Sequence, residues 1–268
     1  MKKILFFLTA ALLVANYSFA QYKPEKGSVS TEVQFNPFDK DGNTFKLDGV
    51  KVRYFFTDKD AFRLKLGFGL KNDNFSVSDD NRPEEGSHAT YYSEDSEYKA
   101  NSGNFELNLG YERHFDLSKR LSAYVGASVG FNRHFASTTI EASDTRHYWQ
   151  DNGWNSDVTS MTKAEISNGT FSSLPGDVDK NPLGQVDDRA YWEVKAALFT
   201  GVDFYVYKGL YLGTELGLGM NSSKYSKMKY KETTLDSKDQ VEYESNDNIR
   251  KMDIGFYIEP VLRLGWTF

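Results

Sequence analysis

Apolar and polar residues alternate along several stretches of this chain, and the clearest case is its last stretch. From Met252 to Phe268 every even-numbered residue is apolar, whereas the odd-numbered ones are mostly small, polar or charged. Because successive side chains of a strand point to opposite faces, this pattern predicts a strand between two unlike surroundings. At this length, with aromatic residues at its end, we expect lipid on one face and a polar barrel interior on the other.

The same period recurs in seven other stretches, so the chain is predicted to contain eight strands. They are residues 29–36, 45–56, 62–70, 105–112, 121–131, 192–205, 210–220 and 252–268. The second strand changes phase near Gly49, and Pro260 removes a backbone donor from the last strand. We expect a β-bulge at each of these two points.

The connections between the predicted strands alternate between short and long. Tight turns follow strands two, four and six, while the longest loops are 71–103, 133–189 and 221–250. An even number of strands with connections sorted in this way is typical of outer-membrane barrels, whose short turns face the periplasm. The sequence therefore predicts an all-β fold, a membrane β-barrel of eight antiparallel up-and-down strands.

Outward-facing aromatic residues at the strand ends predict two girdles. The girdle at the short-turn side consists of Tyr54, Phe56, Phe62, Phe115, Tyr207, Trp266 and Phe268, and the girdle at the long-loop side consists of Phe35, Phe68, Phe105, Phe131 and Trp192.

Residues 1–20 have the features of a secretory signal peptide. Two lysines precede an apolar run at 4–14, and Ser18, Phe19 and Ala20 form a cleavage site before Gln21. The barrel domain is then predicted to be 21–268, with no cysteine and no long apolar helix. The formal net charge of −6 argues against a nucleic-acid partner.

The inward-facing positions of the predicted strands carry charges of both signs. The acidic ones are Glu32, Glu106, Glu112, Glu193, Asp203, Glu215, Asp253 and Glu259, and the basic ones are Lys51, Arg53, Arg63, Lys65, Lys195 and Arg263. An eight-stranded barrel has room inside only for side chains, and unpaired charges there would cost several kcal/mol each. We therefore expect a cross-barrel network of salt bridges that plugs the interior, in preference to an ion or proton path.

Several short segments resemble known outer-membrane barrels. They are the signal peptide, residues 53–56 and 61–64 around a turn, residues 110–115 before the next turn, and the terminal Leu-Gly-Trp-Thr-Phe. The chain resembles the small OmpA/OmpX-type proteins, and more closely the porin-like outer-membrane β-barrel domain family. The resemblance implies an outer-membrane location, contact with lipid and lipopolysaccharide, and recognition by the assembly machinery through Phe268. Unlike full-length OmpA, the chain is expected to have no peptidoglycan-binding domain after the barrel.

The long loops hold the remaining candidate chemistry. They are acidic and contain tyrosine and tryptophan residues, which suit either adaptable recognition or the packing of hairpins. Residues 177–188 place oxygens at alternate positions, as in calcium loops, but Pro182 and Asp188 depart from the EF-hand pattern, so a solvated acidic loop is the preferred reading. His88, His114, His134 and His147 have no zinc spacing.

We predict no catalytic, cofactor-binding or metal-binding residues. The expected function is a non-enzymatic outer-membrane protein that acts structurally, or binds an extracellular or envelope protein through its loops. One alternative is a lipid A-modifying enzyme, for which the best trio is His134, Ser137 and Glu141. The other alternative is a narrow porin-like channel.

Overall fold

The computed structural model describes residues 22–35, 50–171, 182–234 and 240–268, without the side chains of 33–35 and 257–262. Within these ranges the chain forms thirteen strands and one short 3₁₀ helix. The strands are β1 (Val29–Phe35), β2 (Val50–Phe55), β3 (Asp60–Asp80), β4 (Tyr91–Asp116), β5 (Leu121–Gln150), β6 (Gly153–Ser167), β7 (Gly169–Thr170), β8 (Asp188–Arg189), β9 (Tyr191–Tyr207), β10 (Leu210–Tyr225), β11 (Lys229–Thr234), β12 (Gln240–Glu244) and β13 (Arg250–Thr267). The 3₁₀ helix is Pro182–Gln185.

Eight of these strands close into a ring. Hydrogen bonding runs in the order β1, β2, β3, β4, β5, β9, β10, β13 and returns from β13 to β1, with every neighbouring pair antiparallel. The predicted eight-stranded all-β barrel is therefore confirmed. No helix in the described ranges is long and apolar enough to span a membrane.

The three predicted tight turns all lie at one end of the barrel, which we call the short-turn end. They join β2 to β3, β4 to β5 and β9 to β10. In the last turn Lys208 and Gly209 both adopt positive φ, 28° and 82°. A two-residue hairpin turn with this backbone matches the twist of the flanking strands, which keeps β9 and β10 tightly paired.

The predicted bulge in the closing strand is confirmed. Between the pairs Gly213 with Arg263 and Glu215 with Glu259, one residue of β10 stands opposite three residues of β13. Pro260 lies in this irregular stretch, where the ladder needs no donor from it. The other predicted bulge, near Gly49, and the first connection between strands lie outside the described residues, as do 1–20.

The three segments predicted as long loops are mostly β-strands. β3 continues to Asp80, β5 continues to Gln150, and β6, β11 and β12 are additional strands. Together the outer parts of β3, β4 and β5 pair with β6, β11 and β12 in a six-stranded sheet, which we call the distal sheet. The prediction of loops was wrong here because this sheet buries only a few apolar residues, from separate segments, on one face, so its strands show no regular alternation of apolar and polar residues.

Candidate functional site

The interior of the barrel near the short-turn end is filled by a balanced set of buried charges. Arg53 lies at its centre, and its guanidinium contacts Glu32 at 2.6 Å, Glu112 at 3.0 Å and Asp203 at 2.6 Å. All four side chains are fully buried. A guanidinium presents five donors in a fixed fork, so one arginine can bridge carboxylates from three different strands.

Two further arginines complete this network. Arg63 contacts Glu112 at 3.0 Å and Glu215 at 2.8 Å, and Arg263 lies 3.3 Å from Glu215 and 3.4 Å from both Glu32 and Asp203. With Lys51, which lies 3.6 Å from Glu32, four cations face four carboxylates. We call these eight residues the ion plug: Glu32, Lys51, Arg53, Arg63, Glu112, Asp203, Glu215 and Arg263. The predicted cross-barrel salt-bridge network is confirmed.

Aromatic rings surround the ion plug and exclude water from it. The Tyr211 hydroxyl donates to Glu32 at 2.9 Å, and the Tyr124 hydroxyl donates to Glu215 at 2.9 Å. The Arg63 guanidinium lies 4.1 Å from the centre of the Phe199 ring. The two hydroxyl groups donate to buried carboxylates, and the rings keep the surroundings of the charges at a low dielectric, in which paired charges attract each other more strongly.

His114 also belongs to this interior, although it was not among the residues predicted to face inward. Its Nε2 atom lies 3.1 Å from Glu112, and its ring is 5.2 Å from the ring of Tyr124. The strand period could have predicted this position, because His114 lies two residues beyond Glu112 and therefore on the same face of β4.

Residues 22–28 form a floor beneath the ion plug. Lys23 contacts Asp116 at 2.5 Å and Arg120 donates to the hydroxyl of Tyr22 at 3.0 Å, both near the β4–β5 turn. The same segment then bonds through the amide of Gly27 to Phe55 and continues into β1. Since β1 and the β4–β5 turn lie on nearly opposite sides of the ring, the segment crosses the short-turn opening of the barrel.

A polar cavity of about 400 Å³ lies on the other side of the ion plug. Glu106 lies in its wall between two lysines, 3.6 Å from Lys65 and 3.5 Å from Lys195. Asp253 lines it as well, whereas the side chain of Glu259 is outside the described part. The charged inward positions therefore form two layers, a dry layer at the short-turn end and a wetter one above it.

The distal sheet has a hydrophobic core of its own. Its centre is made of buried residues from the three strands β5, β6 and β11 and from the residue that follows β7: Ile140, Ala164, Ile166, Tyr230 and Phe171. Tyr98, Leu183 and Val186 pack against this group. Because Tyr98 and Ile140 have the same parity as the lumen-facing residues of β4 and β5, the core lies on the side of the sheet that continues the barrel interior. We call it the distal core.

The described parts of segment 169–189 hold this arrangement together. Thr138 bonds to Thr170 at 3.1 Å, and His134 bonds to Asp188 at 2.8 Å. Arg189 donates to the carbonyl of Ser226 at 2.7 Å and also binds the carboxylate of Asp247. The hydrogen bonds from Arg189 lower the pKa of Asp247 to about 2, since they stabilise its ionised form.

Most of the aromatic residues in the predicted loops have packing roles. The rings of Tyr91 and His147 stack at 4.5 Å, and Trp149 meets Trp154 edge-on at 5.6 Å. Tyr243 stacks on Tyr230 at 5.8 Å and is still 57% exposed. The expectation that these rings pack hairpins is therefore supported, while a few of them stay accessible to a partner.

A model described as the "Putative OmpA-OmpF-like porin family" matches residues 36–268. The chain belongs to this family. Members of the OmpA-OmpF-like porin family are outer-membrane β-barrels, which agrees with the closed ring of eight strands.

The remaining comparisons add little to this assignment. Comparison with the curated proteins finds no match. Among solved structures, the chain is similar to CdiB from Escherichia coli with 8% identity and a TM-score of 0.19, over 91% of this chain and 63% of that one. This chain thus spans less than two thirds of CdiB, and so weak a likeness supports no conclusion about fold or function.

The trio proposed for a lipid A-modifying enzyme does not assemble in this porin-family barrel. His134 and Ser137 are an odd number of residues apart on β5, so their side chains point to opposite faces, and Glu141 lies on the face of Ser137. His134 instead bonds to Asp188. The trio was wrong because it was chosen by proximity in sequence, without applying the strand period.

The preference for a solvated acidic loop over a calcium site at residues 177–188 is mostly untested. Residues 172–181 lie outside the described part, and Asp188, at the end of the candidate loop, is bonded to His134. In the described ranges, no group of three His, Asp or Glu residues is arranged to hold a metal ion.

Proposed function

We propose that this protein is a non-enzymatic, non-conducting outer-membrane barrel that holds the distal sheet on the cell surface as a binding platform. The observation that carries this proposal is the ion plug, which fills the lumen across its width with paired charges. A family of porin-like proteins includes open channels in principle, but an eight-stranded lumen occupied by arginines leaves no path for ions.

The orientation follows from the sorting of the connections. Short turns of outer-membrane barrels face the periplasm and long connections face outward. The floor of residues 22–28 then lies on the periplasmic side, and the distal sheet lies outside the cell. The barrel surface would contact lipid and lipopolysaccharide, while the backbone of Phe268 pairs with Val29 at the closing seam, consistent with a role of this residue in recognition by the assembly machinery.

The distal sheet supports the binding role better than a purely structural one. A barrel needs only short connections to stay closed, whereas this chain forms a second hydrophobic core outside the membrane region. Ordering that many residues has an entropic cost, so a folded extension is expected to do something that flexible loops cannot. Presenting a rigid surface to a protein partner is such a role.

Planar-bilayer recordings test the non-conducting part directly. The purified, refolded protein should give no current steps, while the double variant R53S/D203S, which removes one cation and one carboxylate from the ion plug, should give small steps. Regular steps from the wild-type protein would overturn the proposal. External protease on intact cells tests the orientation, because cleavage of the wild type should fall in exposed connections of the distal sheet, such as 81–90, and leave the barrel strands protected.

A further inference from the structure

The distal sheet ends in an unpaired edge strand. In the described ranges, β12 pairs with β11 on one side and with no strand on the other. All five residues of β12 are exposed, including Val241 at 40% and Tyr243 at 57%. A strand edge of this kind presents free backbone N–H and C=O groups, to which an extended polypeptide can add as a new strand.

The outer face of the sheet carries charges in alternating order toward this edge. One cross-strand row runs from Glu165 on β6 to Lys231 on β11 and Glu242 on β12. Lys231 and Glu242 lie 3.9 Å apart, and Glu244 lies 3.8 Å from Lys227. Opposite charges on neighbouring strands attract, so the next strand would place positive side chains beside Glu242 and Glu244.

The same two glutamates disfavour pairing between two copies of this protein. Two β12 strands placed edge to edge would bring their four carboxylates close together, and like charges opposite each other are destabilising. The edge of β12 therefore disfavours pairing with a second copy of this protein and favours a cationic partner.

The inner face of β12 supplies an apolar contact for the alternate residues of such a partner. Val241 and Tyr243 point to this face, and Tyr243 stacks on Tyr230 of the distal core. Apolar side chains on an added strand would extend the distal core by one row. Glutamate and apolar residues thus alternate along β12 with the period of a strand.

We propose that β12 binds an extended segment of a partner protein in which cationic residues alternate with apolar ones, by adding it to the edge of the distal sheet. This inference rests on the proposed role of the distal sheet as a binding platform. Backbone hydrogen bonds to β12 hold the segment, and contacts with Glu242 and Glu244 select it by charge.

The test uses a fluorescent peptide of ten residues in which lysine and valine alternate, titrated with the full-length protein in detergent and followed by anisotropy. Saturable binding is expected. The variant E242K/E244K should lose at least about tenfold in affinity and should instead bind a peptide of alternating glutamate and valine. The matched control, E141K/E165K, reverses two charges on the same face of β5 and β6 and should bind the lysine peptide like the wild type.

A second peptide separates strand addition from simple charge attraction. A peptide with the same side chains but N-methylated at every residue cannot donate backbone hydrogen bonds, so it should not bind. The inference is overturned if the wild type does not bind the lysine peptide, if the N-methylated peptide binds equally well, or if E141K/E165K weakens binding as much as E242K/E244K. Each of these results leaves the bilayer recordings unaffected, so the inference can fail while the non-conducting barrel stands.

Discussion

Replacing Arg53 by methionine should destabilise the barrel more than any exposed charge substitution. Methionine is unbranched like arginine and replaces the packing of its aliphatic part, but it leaves Glu32, Glu112 and Asp203 without their central cation. Two charges about 4 Å apart attract by about 4 kcal/mol at an effective dielectric of about 20. Three such attractions are lost, and they are offset in part because the desolvation of Arg53 itself is no longer needed.

The other arginines limit this loss. Glu112 keeps its contact with Arg63 at 3.0 Å, and Asp203 keeps Arg263 at 3.4 Å. We therefore expect a net cost near the usual value for breaking a buried ion pair, about 3 to 5 kcal/mol. The stability of R53K should lie between that of the wild type and that of R53M, because an ammonium group keeps the charge but cannot reach three carboxylates at once.

Urea unfolding of the refolded protein in detergent, followed by its mobility on unheated gels, measures this cost. The matched control is R146M, because Arg146 forms a single surface pair with Asp157. This substitution should change the free energy of unfolding by less than about 1 kcal/mol. If the free energy of unfolding of R53M is within about 1 kcal/mol of the wild-type value, the ion plug is not a tightly coupled network and does not by itself close the lumen.

Three further predictions concern other parts of the molecule. F171A removes a buried ring from the distal core, so β6 and β11 should become sensitive to protease while the barrel keeps its gel mobility; equal sensitivity of the barrel would contradict a separate core. The contact between Asp247 and Arg189 should stabilise the distal sheet fully above about pH 4 and lose its effect as the pH falls toward 2, because the pKa of Asp247 is lowered to about 2 from its ordinary value; limited proteolysis across this range should show the change, and D247N should abolish it. G126A should cost about 1 to 3 kcal/mol in urea unfolding, because a Cβ at this position would overlap both the backbone carbonyl oxygen of Tyr111 and the ring of Phe199; an unchanged midpoint would show that the neighbouring backbone and the ring can both shift.

The barrel could be predicted from the sequence because its outer face requires apolar residues and its inner face requires polar or charged ones. Lipid outside and paired charges inside force a strict alternation, so Phe62 and Leu64 alternate with Arg63 and Lys65 along β3. The same parity placed Arg53, Arg263 and their acidic partners inside. The alternation could not predict which cation contacts which carboxylate, because those contacts cross the lumen between strands that are distant in the chain.

The distal sheet could not be predicted in the same way. Residues such as Ser76 and Glu97 lie opposite each other on a water-facing surface, where polar side chains carry no periodic signal. Its core is built from single apolar residues, among them Ile140, Ile166 and Phe171, that come from separate segments. The floor was also missed, since its contacts depend on Tyr22 and Lys23 meeting a turn about ninety residues away.

Strand β5 belongs to both bodies of the molecule. It runs without interruption for 30 residues, about 100 Å at the usual rise per residue, and pairs with β4 along that strand's full length. Within these two described strands the ladder is continuous from the barrel to the distal sheet, so β4 and β5 offer no hinge between them. A pulling force applied to the distal sheet along the strand direction would load the hydrogen bonds of the whole β4–β5 ladder in shear. The barrel wall itself therefore serves as the mechanical anchor.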